Sequence, residues 1–322
     1  MIRHSALFSG TRRASLLGPN PRCARLLSVA AIAVFSLFAA RTMAGQESTS
    51  QPAQQTKSAT PEAKLESVTV EARRRRELID KQVSHFVYSI VGPAMVESLA
   101  RWNVAVCIVT AGLTTAEAEF VKHRLSQIAT DAGVPLGGPN CGPNFVVIVN
   151  PEPEKLLKEW WSEEHRLFNR DRGLGGVNRF IQTAQPVRVW HNACNAPPGI
   201  SAHAFSTMAH CGAGVTGSRL TRAVVRAIYS AIVAVDLTKI EGLTFGQVAD
   251  YVAMVGLAQI RPSPELGEAP TILGLFATSG TDRPKRMTEW DQSFLKAVYA
   301  TTDGSVTELS QIKLRMSEEL AN

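Results

Sequence analysis

Residues 244–260 read TFGQVADYVAMVGLAQI, and no other stretch limits the fold as much. Thr244 and Gln247 have the spacing of a capping box, threonine as N-cap and glutamine at N3, with Leu243 and Val248 placed as a hydrophobic staple. Beyond Asp250 the stretch is apolar all round: Tyr251, Val252, Ala253, Met254, Val255 and Leu257. A helix with no polar face must be covered on most sides, so the fold has to enclose it. Its one acid, Asp250, then needs a partner, because an unpaired buried charge is costly. Arg219, within SRL, is the candidate cation.

The enclosing elements lie on both sides of this helix. VAVCIVT (104–110) and FVVIV (145–149) are β-branched runs that predict buried strands. PVRVWH (186–191) is a third, and RAVVRAIYSAIVAVDL (222–237) holds at least one more. Between the first two, TAEAEFVKHRLSQIATDAG (115–133) sets Phe120, Leu125 and Ile128 on one helical face and ends in glycine. PEPEKLLKEWWSEEHRLF (151–168) is a second helix, with prolines in its first turn. RDRGLGGV (170–177) follows that helix and reads as a mobile loop or lid. Two further helices end the sequence, one from Thr288 through Tyr299 and one after Ser305. Interleaved early elements and late helices on a sheet make the class α+β (mixed α/β), with one globular domain over 78–322 and a central mixed sheet.

The N-terminus has a different character. Residues 1–25 hold five arginines and no acid, and LLSVAAIAVFSLFAA (26–40) is an apolar run too short for a membrane span. Thr42 and Ala44 are small residues suited to a cleavage site, so 1–44 reads as a secretory signal peptide cut near Ala44. Residues 45–77 are polar and low in complexity, which predicts a disordered linker. Of the 34 Lys and Arg, six precede Gly45, which leaves 28 against 28 Asp and Glu. A neutral mature protein argues against a nucleic-acid partner, since phosphate binding needs a surplus of cations. Export to the periplasm or beyond also bears on the cysteines. Four remain after Cys23 is removed, and an even count in an oxidising compartment predicts two disulfides. The pairings that bracket continuous segments are Cys107–Cys141 and Cys194–Cys211.

The stretches RWNVAVCIVTAGL, CGPNFVVIV, PVRVW, SRL, GQVADYVAMVGLA, APTILGLF and EWDQSFLKAVY span 101–299. In that order they resemble an uncharacterised family of exported proteobacterial proteins, which implies export but no established activity. The C-terminal half also resembles the zincin metallopeptidases, in which a strand precedes a buried H-E-x-x-H helix. APTILGLF (269–276) resembles the Met-turn of metzincins, with Leu273 where methionine would stand. MTEWDQSFLKAVY (287–299) resembles the helix that follows it. Here the motif helix reads Gln247-Val248-Ala249-Asp250-Tyr251, with no zinc ligand or catalytic glutamate.

His191, Cys194, His203, His210 and Cys211 are the one His/Cys concentration, but their spacing matches no compact zinc knuckle. GISAH (199–203) lacks the final glycine of a G-x-S-x-G nucleophile elbow. No P-loop, G-x-G-x-x-G or C-x-x-C occurs, so neither a cofactor nor a metal is expected. The expectation is an exported, non-catalytic binding or envelope-assembly domain of degenerate zincin-like fold, its partner an envelope protein or ligand. The alternative is a secreted hydrolase acting through His191, His203 and His210, or through Asp250, the acid on the buried helix.

Overall fold

The computed structural model describes residues 61–91, 99–168, 173–196, 218–219, 224–261, 264–277, 282–301 and 307–321. The protein divides into Met1–Ser58 and Ala59–Asn322, and all described residues belong to the second unit. Within it, strand β5 (Val225–Asp236) organises the sheet. Along one edge β5 pairs antiparallel with β4 (Val187–Ala196), with an irregularity between Asn192 and Ala193. Its other edge is shared. β1 (Arg101–Trp102) lies parallel to Ala227–Ile228, and β3 (Phe145–Asn150) lies parallel to Ala231–Asp236. β3 in turn carries β2 (Ile108–Ala111), also parallel. Four parallel strands and one antiparallel edge strand make the predicted mixed α+β architecture.

Helices cover both faces of this sheet, which is why VVIV and IVAV show no polar alternation. Phe145, Val147, Val149, Ala231, Val233 and Val235 enter the larger core. There they meet α2 (Thr115–Asp131), α5 (Phe245–Leu257), α6 (Glu289–Ala300), α7 (Glu308–Ala321) and the later part of α1 (Pro61–Val91). Ile148, Trp190, Ile232 and Ala234 point the other way, into a smaller core under α3 (Pro153–Glu163) and α4 (Gly173–Gln182).

α5 is enclosed as its composition demands. From Gln247 to Leu257 every residue except Tyr251 is buried, and each fully buried aliphatic group stabilises the fold by about 2 kcal/mol. The capping box forms: Gln247 N donates to Thr244 Oγ1 at 3.2 Å, and Thr244 N donates to Gln247 Oε1 at 3.0 Å. Val248 is buried, and Leu243 is partly buried against the same core. Near its end α5 presses on β3. A Cβ on Gly256 would lie 2.3 Å from the Phe145 ring, so only glycine permits that approach. The last carbonyls of a helix need outside donors. Gly256 O accepts from Trp102 Nε1 at 2.9 Å and lies 3.1 Å from His191 Nε2, while Leu257 O accepts from the Tyr299 hydroxyl at 2.5 Å.

Three expectations change. α1 begins at Pro61, inside the stretch 45–77 whose composition predicts a linker. Thr69–Leu78 are exposed and the helix first enters the core at Val83, so its early turns have no apolar stripe to betray them. The glycine-rich 170–177 is not a loop throughout: α4 starts at Gly173, because Val177, Phe180 and Ile181 form a buried stripe against the sheet. VAVCIVT is a strand only from Ile108. Cys107, just before it, is disulfide-bonded to Cys141, the pairing expected from bracketing. Cys194 is also disulfide-bonded, while Cys211, its expected partner, lies outside the described residues. Among the described residues no helix is long and apolar enough to cross a membrane.

Candidate functional site

The first residues of β4 turn backbone groups away from the sheet even though their side chains are largely buried. Antiparallel partners alternate between pairs that exchange hydrogen bonds and pairs whose N–H and C=O turn outward. Asp236 N donates to Pro186 O at 2.8 Å, which sets the phase. Val187 and Val189 therefore direct their N–H and C=O away from β5, and these groups have no partner among the described residues. A cleft of about 540 Å³ runs along this edge. Val187 and Val189 line it, with Tyr251 and Val255 of α5 and Leu273 and Phe276 of the 3-10 turn Ile272–Phe276. Its size suits a ligand of several residues or a drug-sized molecule.

The apolar wall is held in place from behind. Thr271 caps the 3-10 turn, and the buried Asp291 ties that turn to α6. One carboxylate oxygen of Asp291 accepts from Thr271 Oγ1 at 2.5 Å; the other accepts from Ile272 N at 2.8 Å and Thr288 N at 2.9 Å. Burial pushes the Asp291 carboxyl above the usual range, and these donors only partly oppose it. Phe276 of the turn meets Tyr251 edge-on, with ring centroids 4.8 Å apart. Burial pushes the Tyr251 phenol up to about 12. Tyr251 is only partly buried, and its hydroxyl has no hydrogen-bond partner among the described residues.

The residues singled out by sequence do not gather in this cleft. Asp250 points toward α2, where its partner is Arg124 rather than Arg219. Arg124 Nε donates to Oδ1 at 2.6 Å, a second guanidinium nitrogen donates to Oδ2 at 3.0 Å, and Met287 N donates to Oδ2 at 2.6 Å. Sequence pointed only to Arg219, because α2 and α5 meet through long-range packing over 126 residues of sequence. Gln247 is spent on the cap and on Pro284 O, to which its Nε2 donates at 2.9 Å. His191 is buried against Gly256 O. His203, His210 and Cys211 lie outside the described residues, as does Ser201 of GISAH.

At the positions that the zincin resemblance would align with H-E-x-x-H, the side chains have other chemistry. Val248 is apolar, Gln247 is committed to the helix terminus, and the Tyr251 phenol stays protonated far above neutral pH. The residues that do line the cleft were legible only in part. Arg188, a cation inside the apolar run VRVW, was the one signal that β4 borders something other than plain core. No protein-family model matches this protein, and no curated protein or solved structure matches it either.

Proposed function

We propose that this protein is an exported, non-catalytic binding domain of zincin-like architecture. Its cleft takes an extended polypeptide segment from an envelope partner by adding a strand to β4. The observation that carries the reading is the outward-facing backbone of Val187 and Val189 beside an apolar cleft, since main-chain pairing with side-chain pockets is how sheet edges capture peptides. The zincin resemblance gains support from a β5–α5 unit followed by a capped 3-10 turn and α6, in the order expected of that class. Export gains support from the Cys107–Cys141 disulfide.

The test uses a donor that serves no purpose inside the fold. Val189→Pro removes an N–H that points away from β5, a place where a sheet edge tolerates proline. The variant should keep the parent's circular dichroism and lose peptide binding. Retained binding by a folded variant overturns strand addition. Metal analysis of the purified parent should find no stoichiometric zinc. One equivalent of zinc, lost when His191, His203 and His210 are replaced, would instead overturn the metal-free binding reading and favour the hydrolase.

A further inference from the structure

The cleft beside β4 carries a charge that the apolar wall does not explain. Arg179 of α4, Arg188 of β4 and Arg261 after α5 all line it, and among the described residues no Asp or Glu does. Arg179 is exposed and Arg261 half-buried, and neither forms an ion pair with a described residue. Arg188 is only 5% exposed. One of its terminal nitrogens donates to Ile181 O at 2.6 Å, and its Nε has no hydrogen-bond partner among the described residues. The acids nearest in influence, Asp236 and Glu154, are engaged by Lys239 and Lys158. Burial accordingly draws the Arg188 guanidinium below its ordinary value, the mark of a cation short of counter-charge.

The two walls differ in kind. Arg179 and Arg188 belong to the α4 side of the sheet, whereas Tyr251, Val255 and Leu273 belong to the α5 side. Successive side chains of an added strand point to opposite faces. A peptide alternating acidic and apolar residues would turn its carboxylates to the arginines and its apolar groups to α5. We infer that the cleft is selective for an extended segment whose Asp or Glu side chains face Arg179 and Arg188. This rests on the strand-addition reading above and adds to it the chemistry of the occupant.

The probes are fluorescein-labelled Thr-Glu-Val-Glu-Val-Glu-Thr with an amidated C-terminus, its Gln and Lys counterparts, and the Gln peptide with a free C-terminus. Each is titrated by fluorescence anisotropy against the full mature protein. The Glu peptide should bind about tenfold or more tightly than the Gln peptide, as charge-assisted pairing requires. The Lys peptide should bind weakest, and the Glu preference should shrink with added salt. Arg179→Gln and Arg261→Gln, both at sites outside the core, should narrow the Glu-over-Gln ratio severalfold. A gain for the free-carboxyl Gln peptide with none for the amidated Glu peptide overturns the side-chain assignment in favour of a polypeptide terminus. Equal binding of the amidated Glu, Gln and Lys peptides, with no gain from the free carboxyl, overturns the carboxylate selectivity and leaves strand addition standing. Binding of no peptide overturns both.

Discussion

At the scale of residues, Asp250 and Gln247 show how two polar groups on one buried helix acquire separate structural duties. Asp250 is almost wholly buried, while the side chain of its partner Arg124 is 31% exposed. That asymmetry ranks the variants. Arg124→Ala strands a buried carboxylate with a single backbone donor and should cost about 3–5 kcal/mol. Asp250→Ala leaves an arginine that can still reach water, so the loss should be about 2 kcal/mol, most of it from the orphaned Met287 N–H. Gln247→Ala removes a capping interaction and should cost about 1 kcal/mol. Thermal or urea unfolding of the three beside the parent gives the order. An Asp250→Ala protein as stable as the parent would reassign that carboxyl from structure to function.

Between elements, the main join behind the cleft is Asp291, which fastens the 3-10 turn to the start of α6. Burial raises its carboxyl, so the folded state holds its proton more tightly than the unfolded state does. Such a group favours the fold most below the ordinary carboxylate range, and the advantage is lost as pH rises through the raised value. Asp291→Asn should remove this dependence, because its amide can donate to Thr271 while its carbonyl keeps the backbone donors. Urea unfolding of parent and variant between about pH 4 and 7 should show the parent losing ground to the variant as pH rises. A constant difference across that range would mean that the donors fully offset burial and leave the Asp291 proton affinity unshifted on folding. Elements were legible in sequence wherever an apolar stripe was regular, as in α2, α5 and α6. They were missed where the signal was absent, as in the exposed early turns of α1, or masked by glycine, as in α4.

For the whole molecule, the disulfide at Cys107–Cys141 joins the approach to β2 to the loop that leads into β3. Asn144 reinforces the same corner, accepting from Cys107 N at 2.7 Å and donating to Ala105 O at 3.0 Å. Closing a loop with a sequence separation of 34 should stabilise the domain by about 4 kcal/mol through its effect on the unfolded state. Cys107→Ser with Cys141→Ser should therefore lower the urea midpoint sharply without altering the helical circular dichroism of the folded state. A double variant with the parent's midpoint would show that Asn144 and the strand pairing hold the corner alone.

Composition and periodicity determined what is local or averaged: a mixed α+β class, a helix that must be enclosed, its capping box, and a cysteine pair able to bracket a segment. Each follows from burial or backbone geometry over a few dozen residues. The tertiary structure alone decided which cation meets Asp250, since Arg124 and Asp250 are 126 residues apart. It alone decided that Tyr251 faces a cleft, and that Arg179, Arg188 and Arg261 face it with no described acid beside them. Their meeting depends on which strand ends the sheet and which helix crosses it, and long-range packing settles both.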